Sequence, residues 1–526
     1  MKKVLLTALL FLILTVLAAC GGNEDSNSDG AETATDEANT DATLNVAYPT
    51  NLQTMDPHLT TNQSTRDVSR QIYEQLLTLN EQYEVVPSLA ESYEVSEDGL
   101  TYTFDLREGV LFHNGEEMQA EDVVASMEKW METSTQGMAN LAGAEFIEVD
   151  TYTVELHIDE ASLIIPYVLA DTAPFPAIVP KESVESAGDT GLEEYIGTGP
   201  FQLEEWTADQ HIHLTRFEDY ESTDDDASGL AGKKEALVKD IYFNIVPDAS
   251  TRVAGVTTGE YDIAVDIPLD NADQVESADD VNAFYSDGGI SAFVYNNQSG
   301  PFSDIKLREA FNTAFNAEEA MTAAYSNDNF FELDPGLALP DQVNWHSTAG
   351  EEQYNQGDIE AATQLVEESD YNGEEITILS TRDYPDHYSL SIVAQEVLET
   401  IGVNTTLDIY DWPTVQEIRT EPENFDIFPM TFAVRPTLHQ LPFLDSKAAY
   451  PGWSDSEEID QLLEDITRQS SFEEAYPYVE ELQQEVWNYL PVTKIGNQQE
   501  LVAVSSDVDG YSDLIGPILW NVSKSE

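Results

Sequence analysis

Few residues in this chain could carry covalent or metal chemistry. It holds one cysteine, Cys20, and eight histidines among 526 residues, with 21 Lys+Arg against 101 Asp+Glu. A single cysteine excludes an intrachain disulfide and a zinc-thiolate cluster. Gly197-Thr198-Gly199 and Gly232-Lys233-Lys234 both lack the Lys-Ser/Thr that completes a phosphate-binding glycine loop. Neither a Gly-x-Ser-x-Gly elbow nor a His-Glu-x-x-His pair occurs. His211 and His213 would share one strand face and could chelate a metal, but two polar residues on a half-exposed strand is the simpler reading. His113 is read as a structural hydrogen-bonding residue. With 101 carboxylates, the spacing of any acidic pair carries no information. No catalytic residue, metal site or cofactor is expected.

The charge narrows the partners. A formal net charge of −80 repels phosphate backbones, which argues against nucleic acid. It reads as a solvated acidic surface and points to a saline, extracellular habitat. At the N-terminus, Lys2 and Lys3 precede an uncharged apolar run over 4–19, too short to span a bilayer and shaped like a secretory signal. It ends Leu17-Ala18-Ala19-Cys20-Gly21, which resembles a bacterial lipobox. That resemblance implies cleavage after residue 19, diacylation of Cys20 (palmitate-type chains) and anchoring by lipid alone. Residues 20–43 then form a tether. From 21 to 43 there is no Val, Ile, Leu, Met or aromatic residue, with seven acids and no base, so ordering entropy has nothing to offset it.

The elements that must position any site begin at Leu44. Period-two alternation predicts strands over 101–106 and 152–158, and further strands are expected at 211–215, 241–245 and 403–410. Helical spacing links Leu390, Val393, Val397 and Ile401, closed by Gly402. It also links Phe472, Ala475, Val479, Leu482, Val486 and Tyr489, stopped by Pro491. Helix, glycine, strand is the grammar of an α/β lobe.

Several stretches resemble the solute-binding proteins of the oligopeptide/dipeptide/nickel class (family 5) of ABC importers. The longest runs from Leu89-Ala90-Glu91-Ser92-Tyr93 through Asp98-Gly99-Leu100-Thr101-Tyr102-Thr103-Phe104 to Arg107-Glu108-Gly109-Val110, then Phe112-His113-Asn114-Gly115. Met55-Asp56-Pro57-His58, Gly197-Thr198-Gly199-Pro200-Phe201 and Pro301-Phe302-Ser303-Asp304 extend it over the body of the chain. The resemblance implies a two-lobed α/β fold of the periplasmic-binding-protein type with an extra subdomain. Lobe I would comprise 44–73, 197–295 and 497–526, the inserted subdomain 74–196, and lobe II 296–496. Crossing strands near Tyr295-Asn296-Asn297 and Ile495-Gly496-Asn497 would form the hinge. Implied partners are an ABC permease with its ATPase and a peptide or related solute, captured by a monomer. A nickel chelate or other small anionic solute is the alternative ligand, and a lipid-tethered hydrolase or adhesin is the rival of another class.

The same resemblance nominates ligand contacts. Trp412 lies where peptide-binding relatives line the cleft with tryptophan, and Arg419 matches a basic residue of some oligopeptide binders. Arg382-Asp383-Tyr384 resembles a stretch in which arginine pairs with a ligand carboxylate and tyrosine closes the pocket. After Asp426 to Phe432, Arg435 departs from the family pattern, standing near where an aspartate usually holds a ligand ammonium. Phe432 is placed in the cleft with it. Arg382 and Arg435 are both expected to face the ligand, with Asp383, Asp386 or Asp411 as internal partners for Arg435. An anionic or N-blocked ligand would follow.

Overall fold

The computed structural model describes residues 40–188 and 191–525. The expected signal peptide, Cys20 and all but the last residues of the tether lie outside that range. Its last residues, 40–43, are part of the body. Ala42 is buried, its carbonyl accepts from the backbone N–H of Lys239, and the first strand opens at Thr43.

The principal strands are β1 (Thr43–Tyr48), β2 (Phe201–Thr207), β3 (His211–Arg216), β4 (Asp240–Ile245), β5 (Ile263–Ile267), β6 (Val281–Tyr295), β7 (Ile376–Thr381), β8 (Thr405–Tyr410), β9 (Ile427–Phe432) and β10 (Val492–Ser505). Together with the short strand Phe331–Glu332 they make one eleven-stranded sheet, ordered β8-β7-β9-β6-β10-β5-β1-β4-β3-β2. The helices that matter below are α1 (Gln63–Ile72), α2 (Pro385–Thr400), α3 (Trp412–Ile418) and α4 (Phe472–Tyr489). Alternation is the reason strands form where expected. In β4, Ile241 and Phe243 are fully buried, and Phe243 packs edge-on against Tyr48. The expected segments 152–158 and 403–410 shorten to Thr153–His157 and to β8, because their ends join turns. α2 starts on Pro385 at its first turn, and Gly402, just past its end, adopts φ 90°, the left-handed cap that glycine permits.

Two long strands organise the molecule. β6 and β10 pair antiparallel from Val281↔Ser505 to Val294↔Val492. At one end of this ladder β10 takes β5 as its other neighbour; at the other end β6 takes β9. Strands from 43–267 thus extend the sheet one way and strands from 376–432 extend it the other. The mixed α/β, two-lobed plan follows from that shared ladder. A separate four-stranded antiparallel sheet, ordered Ala90–Val95, Thr101–Leu106, Thr153–His157, Glu145–Asp150, lies within the stretch expected for the inserted subdomain. The helix Ala120–Thr133 accompanies it, begun by a reciprocal capping box between Gln119 and Asp122.

Candidate functional site

The β6–β10 ladder is irregular where the two halves of the sheet meet. Its register shifts between Asp287 and Gly289 and again between Ser291 and Ala292. A β carbon on Gly289 (φ 140°) would sit 2.2 Å from the Phe432 carbonyl oxygen, so this crossing requires glycine. Across the ladder, Ile290 and Ser291 face Asn497 and Gly496. These register shifts lie on β6 before the Tyr295-Asn296-Asn297 segment expected at the crossing. Tyr295 lies further along β6, ringed by Phe302 and Phe311, with its hydroxyl 2.5 Å from that of Thr493. Asn296 and Asn297 pin loop carbonyls of Pro422, Phe425 and Gly452 to the strand end. Neither end of the fully buried Asn497 amide has a partner among the described residues.

Beside this junction lies a cavity of about 550 Å³. Its walls come from both sides of the ladder: 266–270, the end of β5 and the turn after it, on one side, Tyr384 to His387 and Trp412 on the other. Its floor is β10, through Gln498 and Glu500. Gly288 keeps that floor open, since a β carbon there would lie 2.8 Å from the Glu500 Cγ and 3.1 Å from the Gln498 Cγ. Tyr384 meets Trp412 edge-on with ring centres 5.0 Å apart, and His387 packs 5.2 and 5.7 Å from the two rings. The Tyr325 hydroxyl bridges to Gln498 Oε1 at 2.7 Å and Asp386 Oδ2 at 3.3 Å. Thr431 adds a second donor to Gln498 Oε1 at 3.2 Å.

Electrostatically the cavity is one-sided. Asp266, Asp270, Asp386 and Glu500 line it, and among the described residues no lysine or arginine does. Desolvation pushes the Glu500 carboxyl up to about 8, reinforced by Asp513 and Asp266. Burial lowers the His387 imidazole, so it is neutral at pH 7.

Of the nominated residues, Tyr384 and Trp412 reach the cavity; Arg382, Arg419, Phe432 and Arg435 are not among its lining residues. Arg382 is exposed and lies over the Tyr388 ring, 4.8 Å from its centre. Arg419 stands in an aromatic cage at 5.8, 5.7 and 5.4 Å from the ring centres of Trp412, Phe428 and Tyr450, donating to the Tyr450 hydroxyl at 3.2 Å. Strand alternation turns Phe432 away from the side that Thr431 presents, onto Phe443 and Tyr450. The acids expected beside Arg435 are occupied elsewhere. Asp383 accepts from the Trp412 backbone N–H, Asp411 caps α3, and Asp386 takes Tyr325. The acid that senses Arg435 is Asp171, which also accepts from Gln440 at 2.7 Å and is pushed up to about 6 by desolvation.

The histidines outside the cavity have local duties. His113 clamps the 197–199 turn, receiving the Gly197 N–H on Nδ1 and contacting the Gly199 carbonyl through Nε2. His213 pairs with Asp240 at 2.8 Å and stacks on Tyr242, while His211 sits 3.7 Å from Glu205.

Residues 84–446 match the profile described as bacterial extracellular solute-binding proteins, family 5, middle region. The chain belongs to the family 5 extracellular solute-binding proteins. A probable peptide ABC transporter periplasmic-binding protein of Sinorhizobium fredii is 27% identical over 92% of this chain and 94% of its own length. The oligopeptide-binding protein AppA of Bacillus subtilis is 23% identical over 99% and 98%. Among solved structures, the substrate-binding protein CtaP of Listeria monocytogenes aligns with a TM-score of 0.80 at 21% identity, covering 90% of this chain and 95% of its own. A dipeptide-binding protein of Pseudoalteromonas in complex with Met-Leu aligns with a TM-score of 0.74 at 21% identity, covering 92% and 100%. These likenesses establish the two-lobed fold. As a family 5 solute-binding protein, the chain captures and releases a solute and does not transform it.

Reasoning from sequence missed Glu500, Asp266, His387 and Tyr325. For His387 a signal existed: it lies three residues past Tyr384 and one turn into α2, on the side of the helix that faces the same loop. For Glu500 and Asp266 none existed, because strand pairing between distant segments brings them together.

Proposed function

We propose that this protein is the capture component of an ABC importer for peptides, working from the outer face of a cytoplasmic membrane. The observation that carries this is the cavity at the junction of the shared ladder, walled by segments from both lobes and floored by the strands that connect them. A solute held there touches both halves at once, so its binding energy favours the closed arrangement that a permease can select. The crossing at 288–291 on β6, opposite Gly496 and Asn497 on β10, serves as the hinge. The stretches expected for lobe I, the inserted subdomain and lobe II are the moving parts.

In the same reading Cys20 is lipidated, the segment behind it is the tether, and the acidic surface is adapted to a saline medium. The protein works as a monomer alongside its permease and ATPase. Native protein, purified without denaturation and analysed by mass spectrometry, is expected to carry peptides. Adding back the peptides found should raise the melting temperature and change tryptophan fluorescence with no turnover. Native protein that carries no peptide, and whose melting temperature no peptide moves, would overturn the reading.

A further inference from the structure

The polar groups around the cavity are unevenly spent. Some of its donors are used internally: the Tyr325 hydroxyl and Thr431 serve Gln498, and the Gln499 amide serves Asp287 at 2.8 Å, while the Gln498 NH2, the Tyr384 hydroxyl and the Trp412 indole N–H donate to no described residue and suit a ligand's carbonyls. Its acceptors are left over. The carboxylates of Asp266 and Glu500 take no side-chain or backbone hydrogen bond from any described residue. Asp386 is approached by the Tyr325 hydroxyl at 3.3 Å, whose single proton is better placed toward Gln498 at 2.7 Å, and by the His387 Nε2 at 3.8 Å. His387 is 5% exposed, lines the cavity, and its Nδ1 has no partner. Since the imidazole is held neutral, one of its ring nitrogens is an acceptor. Two electron-rich rings, Tyr384 and Trp412, close the remaining side.

An ammonium or guanidinium group is all donor and no acceptor, and it is drawn to aromatic faces as well as to carboxylates. It complements the carboxyl groups and the aromatic faces of this cavity. An anionic group would meet the carboxylates of Asp266, Asp270 and Asp386, beside a Glu500 carboxyl that holds its proton at neutral pH until a cation draws it off, and would find no lysine or arginine on the lining. The geometry points to selection by positive charge: the cleft takes peptides carrying a lysine or arginine side chain, whose cation is seated between Glu500 and Asp266 on one side and Asp386 and His387 on the other. This rests on the peptide reading for the ligand's backbone, but not for its charge. It reverses the anionic ligand expected from Arg382 and Arg435, because neither guanidinium is in the cavity.

The test is calorimetry on the purified chain with Lys-Ala-Lys, Ala-Ala-Ala, Glu-Ala-Glu and the non-peptide dication 1,5-diaminopentane. It is run at 1 M sodium chloride, where the general field of a −80 protein is screened over about 3 Å and only contact attraction survives. The variants are Glu500→Gln, which removes a carboxylate without removing volume, and Asp266→Asn, since asparagine tolerates the left-handed backbone (φ 52°) at that position. Lys-Ala-Lys is expected to bind at least tenfold tighter than the other two peptides, and each variant should reduce that preference at least severalfold.

Peptide binding without charge preference, or tightest binding of Glu-Ala-Glu, would overturn the inference and leave the peptide reading standing. A lysine preference undiminished in both variants would overturn its assignment to this cavity. Glu500-dependent binding of the diamine, with no tripeptide bound, would uphold charge selection and overturn the peptide reading. No binding of any of the four up to 1 mM would overturn both.

Discussion

Glu500 illustrates how a binding residue can burden the fold that carries it. Its carboxyl titrates near 4.5 in an unfolded chain but is pushed up to about 8 in the native one by desolvation, Asp513 and Asp266, with Asp67 adding to the rise and Arg66 opposing it. Below pH 4.5 both states hold the proton and nothing is lost. Between 4.5 and about 8 only the unfolded state releases it, so this group's contribution to stability falls as pH rises, and above 8 the loss is complete. Glu500→Gln should therefore melt higher than wild type at pH 7–9, with no difference near pH 4. A scanning calorimetry series in which the variant melts lower at pH 8 would contradict this. Trp412 gives a second prediction at the same scale. It forms part of the aromatic wall, so Trp412→Ala should weaken binding of the native solute roughly tenfold, about 1.4 kcal/mol. An unchanged affinity in calorimetry would remove it from the site.

Among the elements, the paired strands β6 and β10 bear the functional irregularities. The shifts at 287–289 and 291–292 lie between the stretch of β10 that pairs with β5 and the stretch of β6 that pairs with β9. Two adjacent glycines have different reasons to be there, which mutation can separate. Gly289→Ala would press a methyl group into the Phe432 carbonyl in a backbone conformation that L-residues avoid. Overpacking and strain together should cost about 1–3 kcal/mol in urea unfolding. Gly288→Ala meets only the flexible stems of Glu500 and Gln498. It should cost less stability than Gly289→Ala, because side chains can shift where a backbone carbonyl cannot, and it should weaken solute binding by displacing the floor of the cavity. Equal effects of the two changes on stability would contradict this assignment. Away from the ladder, Tyr167 packs edge-on against Trp345 and Phe472, and Asp171 meets Gln440 and Arg435, so the stretch expected for the inserted subdomain touches the stretch expected for lobe II. Arg435 thus belongs to a contact between parts of the body.

For the whole molecule, charge is the governing quantity. A formal −80 means strong self-repulsion, and salt shortens its reach from about 30 Å at 0.01 M to about 3 Å at 1 M. The melting temperature should rise steadily over that range of sodium chloride; a flat or falling curve would argue against a surface adapted to brine. The proposed anchor makes a separate prediction. Cys20→Ala should appear in the medium instead of the membrane fraction, whereas fractionation identical to wild type would exclude lipidation at that residue.

What the sequence by itself determined was everything local or periodic. Strand signals at 101–106, 211–215 and 241–245 each fall on an observed strand, and 3.6-residue spacing with Gly402 and Pro491 bounded α2 and α4, since burial of one face is written in the order of residue types. Short motifs carried the family, and through it the nomination of Tyr384 and Trp412. Only the tertiary structure decided the sign of the site. Arg382 and Arg435 looked like cleft cations through the family resemblance, but whether a long side chain enters a cavity or lies over Tyr388 depends on packing that no spacing encodes. Glu500 and Asp266 became neighbours through the pairing of β10 with β5, between segments more than 200 residues apart. Their surplus of acceptors exists only once those strands are joined, so the charge of the solute had to wait for the fold.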